Sequence, residues 1–384
     1  MAAITETEEC KDEGLRIALV HDWLTGMRGG EKVLLSLMEL FPRADIFTLV
    51  YRPEKMDPVF HHRRIITSWL QRLPFGQAKY QYYLPLYWEL MGSFDLSPYD
   101  LVVSSSSACA KWVRVPKKAI HVCYCHTPMR YIWDLFDDYF GPSSSPWVRW
   151  PARFFRSYLQ QCDLKSNEGV THFLANSSEV KERIQRLYGR ESQVIHPPVD
   201  VDKFKVKSGK GDYYLVISAL VPYKKVELAV KVCTRRNWPL VVVGKGSEEK
   251  RLRALAGANV TFKGWAPEAE LPGYYEKAKA LLFPGKEDFG IVPVESLASG
   301  CPVIAFGEGG VKDTLKDGET GVLFQEQTEE ALEAAIERFE KMSFDGAALR
   351  ERAMAFSKAR FIFKTQVYFR KLFGINVQES NLKI

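Results

Sequence analysis

Two glutamates in the last third of the chain have a spacing that suits sugar or phosphate binding. Glu287 follows a predicted strand, and Glu295 is eight residues later, about one turn inside the next predicted helix. The amides of Gly290, Ile291 and Val292 open that helix, where free N–H groups and the helix dipole favour an anion. The carboxylates can accept hydrogen bonds from a polyol. Alone, two glutamates at this spacing are more often solvated helix residues.

A second glycine-rich segment stands near the start of the chain. The apolar run 15–21 ends in TGMRGG, and a helical pattern begins at Glu31. Because Gly29 and Gly30 carry no Cβ, the backbone can approach a bound ligand such as a phosphate closely there; the alternative is a simple tight turn. The segment is not GxGxxG, which disfavours a nicotinamide dehydrogenase. His21 and Asp22 end the strand.

Metal sites are not expected. Cys123, Cys125 and His126 alternate as a strand does, with no second Cys/His pair at ligand spacing. Asp200 and Asp202 form a DxD sequence, but it lies in a proline-rich connector, where a helix cap or solvated carboxylates are favoured. The seven cysteines are scattered, as in reduced cytosolic proteins.

Strand and helix patterns alternate on both sides of one proline-rich break, VIHPPVDVDKF at 194–204. Unalternating apolar runs predict buried parallel strands. They lie at 15–21, 45–50, 101–104, 119–124 and 171–176, and after the break at 213–218, 240–243, 260–263, 280–283 and 302–305.

This pattern predicts an α/β protein with two Rossmann-like, doubly wound domains facing a cleft. We expect a first domain at 15–195, a second domain at 196–350, and a C-terminal helix and tail at 351–384. The last basic amphipathic helix, about 355–373, can cross back to either domain.

Composition excludes several classes of protein. The 53 basic and 47 acidic residues give a net charge of +6, shared evenly by the two halves, which disfavours a nucleic-acid-binding domain. No run approaches 18 apolar residues, and the first 14 residues lack the pattern of a signal peptide. We therefore expect a cytoplasmic protein.

The segment FPGKEDFGIVPVESLASGCPVIAF at 283–306 resembles the nucleotide-sugar signature of family 4 retaining glycosyltransferases with the GT-B fold. EDFGIVPVE is most similar to bacterial mannosyltransferases of O-antigen and exopolysaccharide assembly. Further matching stretches over about 15–373 include VHDWLTGMRGGEKV, CYCHTPMRYIWD, FLANSSEVKERI, HPPVDVDKF, YYLVISALVPYKKVELAV and VVVGKGSEE.

The resemblance implies that residues 15–195 form an acceptor-binding domain, with His21 and Asp22 as weaker acceptor-side candidates, and that residues 196–350 form a nucleotide-sugar-binding domain. It also implies roles for individual residues. Glu287 and His126 would contact the transferred sugar, and Glu295 would bind the ribose hydroxyls. Lys224 would bind the diphosphate of the leaving group. The predicted catalytic residues are His126, Lys224 and Glu287. The predicted nucleotide-sugar-binding set is Gly29, Gly30, Lys224, Lys225, Gly244, Glu287, Phe289, Gly290, Ile291, Val292 and Glu295.

One family position departs from the pattern. Many members have an arginine five residues before the lysine, where this chain has Ala219. Either Arg28, Lys225 or Lys286 compensates, or the diphosphate is held with one charge fewer. The loop GEGG at 307–310, followed by Asp313, resembles the family's Gly-Gly-x-x-Glu with aspartate in place of glutamate.

Two windows without acidic residues, 58–88 and 139–162, combine arginines and lysines with aromatic residues. Such surfaces suit the headgroup zone of an anionic membrane; the alternative is that the aromatics belong to the core. Arg130 and Trp133, after His126, are candidates for lining the acceptor cleft.

The resemblance thus implies a retaining, metal-independent transfer of a sugar from a nucleotide diphosphate-sugar, with GDP-mannose the best guess. The donor is a substrate, and no cofactor is expected. The acceptor would be a lipid-linked or oligosaccharide glycan in surface polysaccharide synthesis, with peripheral contact to the inner face of the cell membrane. Two alternatives stay open: a nucleotide-sugar epimerase of the same fold, and a catalytically silent sugar-binding partner.

Overall fold

The computed structural model describes residues 14–134, 136–140, 145–206, 209 and 211–373. They fall into two compact units. The first holds the chain up to Asn176, Val180–Pro198 and the residues from Phe361 onward, and the second holds Ser177–Glu179 and Val199–Arg360. Within the described residues, no helix is long and apolar enough to cross a membrane.

The first unit is built on a seven-stranded parallel sheet with the order β3-β2-β1-β4-β5-β6-β7. Its strands are β1 Ile17–His21, β2 Asp45–Thr48, β3 Ile65–Thr67, β4 Leu101–Ser106, β5 Ile120–Cys125, β6 His172–Ala175 and β7 Ser192–Val194. The central strands β1 and β4 are buried along their whole length, as expected for a parallel sheet that helices cover on both faces.

Helices and 3-10 turns cover both faces of this sheet. The α-helices are α1 Gly29–Leu40, α2 Tyr87–Gly92, α3 Phe136–Phe140, α4 Pro146–Lys165 and α5 Ser178–Tyr188. One face packs on the core around Trp112, Tyr87 and Leu159, and the other on the core around Leu34 and Leu37.

The second unit repeats the design with six parallel strands in the order β10-β9-β8-β11-β12-β13. The strands are β8 Tyr213–Ile217, β9 Leu240–Val243, β10 Val260–Gly264, β11 Ala278–Phe283, β12 Val303–Phe306 and β13 Gly321–Phe324. The helices are α6 Val226–Arg235, α7 Glu249–Leu255, α8 Leu271–Glu276, α9 Ile291–Ala298, α10 Val311–Thr314, α11 Glu329–Phe339 and α12 Gly346–Met354.

The final helix, α13 Lys358–Leu372, begins in the second unit and continues in the first. Phe361 and Phe369 are buried in the first unit's core, where the Phe369 ring meets Phe41 edge-on at 5.1 Å. The predicted α/β class with two doubly wound domains is confirmed. The strands absent from the prediction are β3, β7 and β13, which are three or four residues long and lie at sheet edges.

Candidate functional site

In each unit the predicted residues lie where the strand order reverses. The first sheet reverses between β1 and β4 and the second between β8 and β11, and ligands of such sheets bind beyond the carboxyl ends of the strands at that point. His21 ends β1 and His126 follows β5, next to β4. Lys224 follows β8 and Glu287 follows β11. The topology therefore places the predicted polar side chains at two such edges, one in each unit.

Lys224 and Glu287 meet in the second unit. The Lys224 ammonium Nζ forms an ion pair with Glu287 Oε1, and the two side chains are 16% and 18% exposed. Lys224 ends a 3-10 turn, its Nζ lies 5.2 Å from the Tyr223 ring centroid, and exposed Lys225 follows in the left-handed region at φ +53°. A lysine that binds a carboxylate in this way can also bind a phosphate oxygen.

Glycines allow the loops that carry this pair to touch backbone to backbone. A Cβ on Gly285 would lie 2.9 Å from the Lys224 Cα, and one on Gly309 would lie 2.3 Å from the Glu287 carbonyl oxygen. The amide of Gly310 donates to that same oxygen at 2.8 Å. Gly244 lies equally close to the loop after β8, since its Cβ would be 1.8 Å from the carbonyl oxygen of Ser218. Larger residues at these positions would push the ion-paired loops apart.

Helix α9 presents its N-terminus beside the pair. Gly290 precedes it with φ +84°, and the first-turn residues Ile291 and Val292 are half-buried, whereas Phe289 is buried in the core. Glu295, one turn in, is 8% exposed, and its Oε2 accepts a hydrogen bond of 3.0 Å from the Tyr275 hydroxyl.

Sequence reasoning missed Tyr275, which lies in α8, a six-residue helix without a recognisable motif. The tyrosine is fully buried, and burial, together with the nearby charge of Glu295, raises the pKa of its hydroxyl well above the ordinary value. It therefore remains a neutral donor that holds the Glu295 carboxylate in one orientation.

In the first unit, His21 and His126 share one serine. His21 Nδ1 lies 3.1 Å from Ser105 Oγ, which lies 2.8 Å from His126 Nε2. On the other side of the His21 ring, Nε2 is 3.7 Å from Glu31 Oε1. Burial alone would raise the pKa of Glu31, but the hydrogen bond and charge of His21 hold it below the ordinary value. Gly30 lies against both rings, since its Cβ would be 3.4 Å from His21 and 3.6 Å from His126.

Asp22 has a structural role in this unit. Its carboxylate accepts five hydrogen bonds from residues 107–110, four from backbone amides and one from the Ser107 hydroxyl. The residue is 1% exposed. Asp22 therefore fixes the turn after β4, unlike His21, with which the sequence grouped it as an acceptor-side candidate.

Two of the three cations considered in place of an arginine at position 219, Lys286 and Arg28, have carboxylate neighbours. Lys286 Nζ is 2.9 Å from Glu179 and 3.8 Å from Glu308. Arg28 is the N-cap residue of α1, and its amide donates to Glu31 at 3.0 Å. The backbone carbonyl of Ala219 accepts a hydrogen bond from the Ser218 hydroxyl.

Other predicted residues are held by local contacts. Trp133 donates its indole N–H to Asp163 at 2.8 Å, and Arg130 is half-buried. Asp313 accepts the Ser178 amide at 2.7 Å. Asp200 pairs with Lys203, whereas Asp202 is largely exposed.

Among the described residues, histidine, cysteine, aspartate and glutamate side chains form no group of three or more that could hold a metal ion. Cys123 and Cys125 are buried free thiols.

Two family models match successive parts of the chain. Glycosyltransferase Family 4 matches residues 27–203, and Glycosyl transferases group 1 matches residues 199–359. Together they take in both units.

Curated relatives match at modest identity. The chain is 28% identical to a GDP-mannose-dependent alpha-(1-6)-phosphatidylinositol monomannoside mannosyltransferase of Mycolicibacterium smegmatis, over 42% of this chain and 50% of the relative. It is 29% identical to the O-antigen chain mannosyltransferase RfbU of Salmonella typhimurium, over 49% and 55%. A D-inositol 3-phosphate glycosyltransferase of Frankia alni is 29% identical over 40% and 46%. The matches thus span about half the length of these relatives.

Solved structures match over nearly the whole chain. Sucrose-phosphate synthase from Thermosynechococcus elongatus has a TM-score of 0.70 at 20% identity, covering 94% of this chain and all of that one. Anabaena HepE in complex with UDP and glucose has a TM-score of 0.67 at 18% identity, covering 92% and 99%. At these identities the likeness shows the fold.

Proposed function

Since the chain belongs to glycosyltransferase family 4 and has the GT-B fold, we propose that it transfers a sugar from a nucleotide diphosphate-sugar to an acceptor hydroxyl with retention of the anomeric configuration. The observation that carries this proposal is the Lys224–Glu287 ion pair at the strand-order reversal of the second unit, beside the N-terminus of α9. An ammonium and a helix N-terminus together suit a diphosphate, and the adjacent carboxylate suits sugar hydroxyls.

In the proposed reaction the bond between the sugar C1 and the diphosphate oxygen breaks. The acceptor oxygen bonds to C1 on the same face, and its proton passes to the departing phosphate oxygen. Lys224 and the α9 amides stabilise the charge that develops on the diphosphate. Glu287 and His126 contact the transferred sugar, and Glu295, held by Tyr275, accepts hydrogen bonds from the ribose. The proposed set needs no metal ion.

Mannose from GDP-mannose is the donor that we propose, supported by the GDP-mannose-dependent and O-antigen mannosyltransferase relatives. Incubation of the protein with radiolabelled GDP-mannose, UDP-glucose or UDP-galactose and a bacterial lipid extract tests donor and reaction together. We expect label in the lipid fraction with GDP-mannose. Conversion of the donor sugar to its epimer without an acceptor would instead indicate an epimerase. Neither transfer nor donor hydrolysis with any of the three would favour the silent sugar-binding partner.

We also propose that helix α4 binds an anionic membrane surface, where a lipid-linked acceptor would lie. Trp147, Trp150 and Phe154 are 89%, 63% and 80% exposed, and their spacing of three and four residues places them on one face. Arg153 is exposed beside them, and the first acidic residue of α4 is Asp163. An exposed aromatic face with cations and no acid suits the headgroup zone, where each cation adds about 1 kcal/mol.

In both acid-free windows some aromatic side chains lie on the surface, whereas others pack in the core. Phe155 and Leu159 of α4 pack on the core of the first unit, opposite the exposed face. In window 58–88, Tyr80 is buried, whereas Phe75 and Tyr82 are exposed on either side of the Lys79 ammonium. Both windows therefore add exposed aromatics and cations to the same unit.

Flotation with vesicles tests the membrane proposal. We expect the protein to float with phosphatidylglycerol-containing vesicles and much less with pure phosphatidylcholine. The triple variant Trp147→Ser, Trp150→Ser, Phe154→Ser should lose most of this binding. Trp265→Ser, which removes an equally exposed tryptophan from the second unit, is the matched control and should float like the wild type. Equal flotation of the triple variant and the wild type would contradict the proposal.

A further inference from the structure

Four side chains of the first unit form a line from helix α1 to His126. Glu31 lies 3.7 Å from His21, His21 lies 3.1 Å from Ser105, and Ser105 lies 2.8 Å from His126. His21 and Ser105 are directly opposite each other in the pairing of β1 with β4, so the sheet register fixes their contact. The Glu31 and His21 side chains are each 5% exposed, and Ser105 is fully buried.

Ser105 can donate a hydrogen bond to only one of the two histidines at a time, because a hydroxyl has a single hydrogen to donate. If His21 carries protons on both ring nitrogens, its Nδ1–H donates to Ser105 Oγ. The Ser105 hydrogen then points to His126 Nε2, and a neutral His126 keeps its proton on Nδ1. If His21 is neutral, with its proton on Nε2 toward Glu31, Ser105 donates to His21 Nδ1, and His126 carries the Nε2 proton instead. The charge of His21 thereby selects the tautomer of His126.

Glu31 is the acidic side chain that pairs with His21. The buried carboxylate of Glu31 is the acidic group facing its Nε2 side, and a buried carboxylate needs a compensating charge. Arg28 also acts on Glu31, and Tyr80 lies within electrostatic range of Glu31, Arg28 and Asp22. The Asp22 carboxylate is occupied by the amides of residues 107–110. Ser105 lies on the Nδ1 side of the His21 ring.

We propose that the Glu31–His21 ion pair acts through Ser105 as a positioning relay that keeps the His126 proton on Nδ1. His126 then meets the sugar as a hydrogen-bond donor rather than an acceptor at that nitrogen. This consequence rests on the proposed function, in which His126 contacts the transferred sugar. Glu31, His21 and Ser105 are positioning residues, since they act on the sugar only through His126.

Nitrogen-15 NMR of histidine-labelled protein near neutral pH tests the relay without any substrate, because the shifts of the two ring nitrogens report which one is protonated. The His126 signals are assigned by their loss in His126→Gln. We expect the Nδ1–H pattern in the wild type and a change to the Nε2–H pattern in Glu31→Ala and in Ser105→Ala. Alanine at position 31 removes the carboxylate, whereas a glutamine with its oxygen on the Arg28 amide would turn its NH2 toward His21 Nε2 and keep the His21 proton on Nδ1. Glu39→Ala, which removes an exposed glutamate from the same helix, is the matched control.

Activity measurements separate this relay from the proposed function. With the donor and acceptor that support transfer, Glu31→Ala and Ser105→Ala should each lower kcat about tenfold, the equivalent of one hydrogen bond, with a smaller change in KM. An unchanged His126 pattern in both variants would overturn the relay, whatever the activity. A changed pattern with unchanged kcat would support the relay and overturn the role of His126 in the proposed reaction.

Discussion

Replacing Lys224 with methionine is expected to lower kcat about 10²- to 10³-fold, because the variant loses the cation that stabilises the departing diphosphate. Methionine keeps the length of the side chain and removes the charge. The Glu287 carboxylate, 18% exposed, loses its ion-pair partner in the same change. Its negative charge then faces the diphosphate without compensation, so GDP should also bind more weakly.

The partner variant, Glu287→Gln, should separate binding from turnover. In the structure the Glu287 carboxylate pairs with the Lys224 ammonium, the group that a diphosphate would bind. The carboxylate and the diphosphate therefore compete for Lys224. Removing the carboxylate charge is therefore expected to strengthen binding of free GDP while lowering kcat, since the group that contacts the sugar is altered. The double variant should bind GDP better than Lys224→Met alone, because it no longer leaves the Glu287 charge uncompensated beside the diphosphate.

Isothermal titration calorimetry with GDP and with UDP, together with initial rates, is measured for the wild type, the two single variants and the double variant. These four proteins form a double-mutant cycle. Lys250→Met removes an exposed lysine from α7 of the same unit and is the charge-matched control; it should resemble the wild type. If Lys224→Met keeps wild-type kcat, the diphosphate is stabilised by other groups, and the assignment of Lys224 is wrong.

The sequence predicts those features of the fold that depend on neighbouring residues. Buried strands such as Ile17–His21 appear as apolar runs, and the segment after Phe283 shows its loop and helix start directly. The edge strand Ile65–Thr67 escaped prediction because three half-buried residues leave too short a hydrophobic pattern.

Contacts between distant segments are not visible in the sequence. Ser105 reaches His21, 84 positions away, only because β4 pairs with β1 in one register. Tyr275 is 20 residues from Glu295, on a different helix. Strand order and register arise from the packing of the whole unit, so the partners of a predicted site residue emerge only with the fold.

A second expected result concerns stability rather than chemistry. Asp163→Asn should lower the free energy of unfolding of the first unit by about 3–5 kcal/mol, the cost of leaving a buried charge without its partner. Lys111 and Asp163 are 2.9 Å apart, and their side chains are 2% and 0% exposed. Tyr188, Trp112 and Trp133 also donate to the carboxylate. An asparagine amide would turn a donor toward these donors and leave the Lys111 ammonium uncompensated.

Urea unfolding monitored by tryptophan fluorescence reports mainly on the first unit, because seven of the nine tryptophans belong to that unit. Glu89→Gln, which removes the carboxylate of an exposed ion pair with Arg114, is the control and should change stability by less than about 1 kcal/mol. Adding Lys111→Met to Asp163→Asn should recover part of the loss, since the double variant no longer buries a charge. A double variant less stable than Asp163→Asn would show that Lys111 stabilises the unit through Ser166 and Asn167, to which it also donates, more than through Asp163.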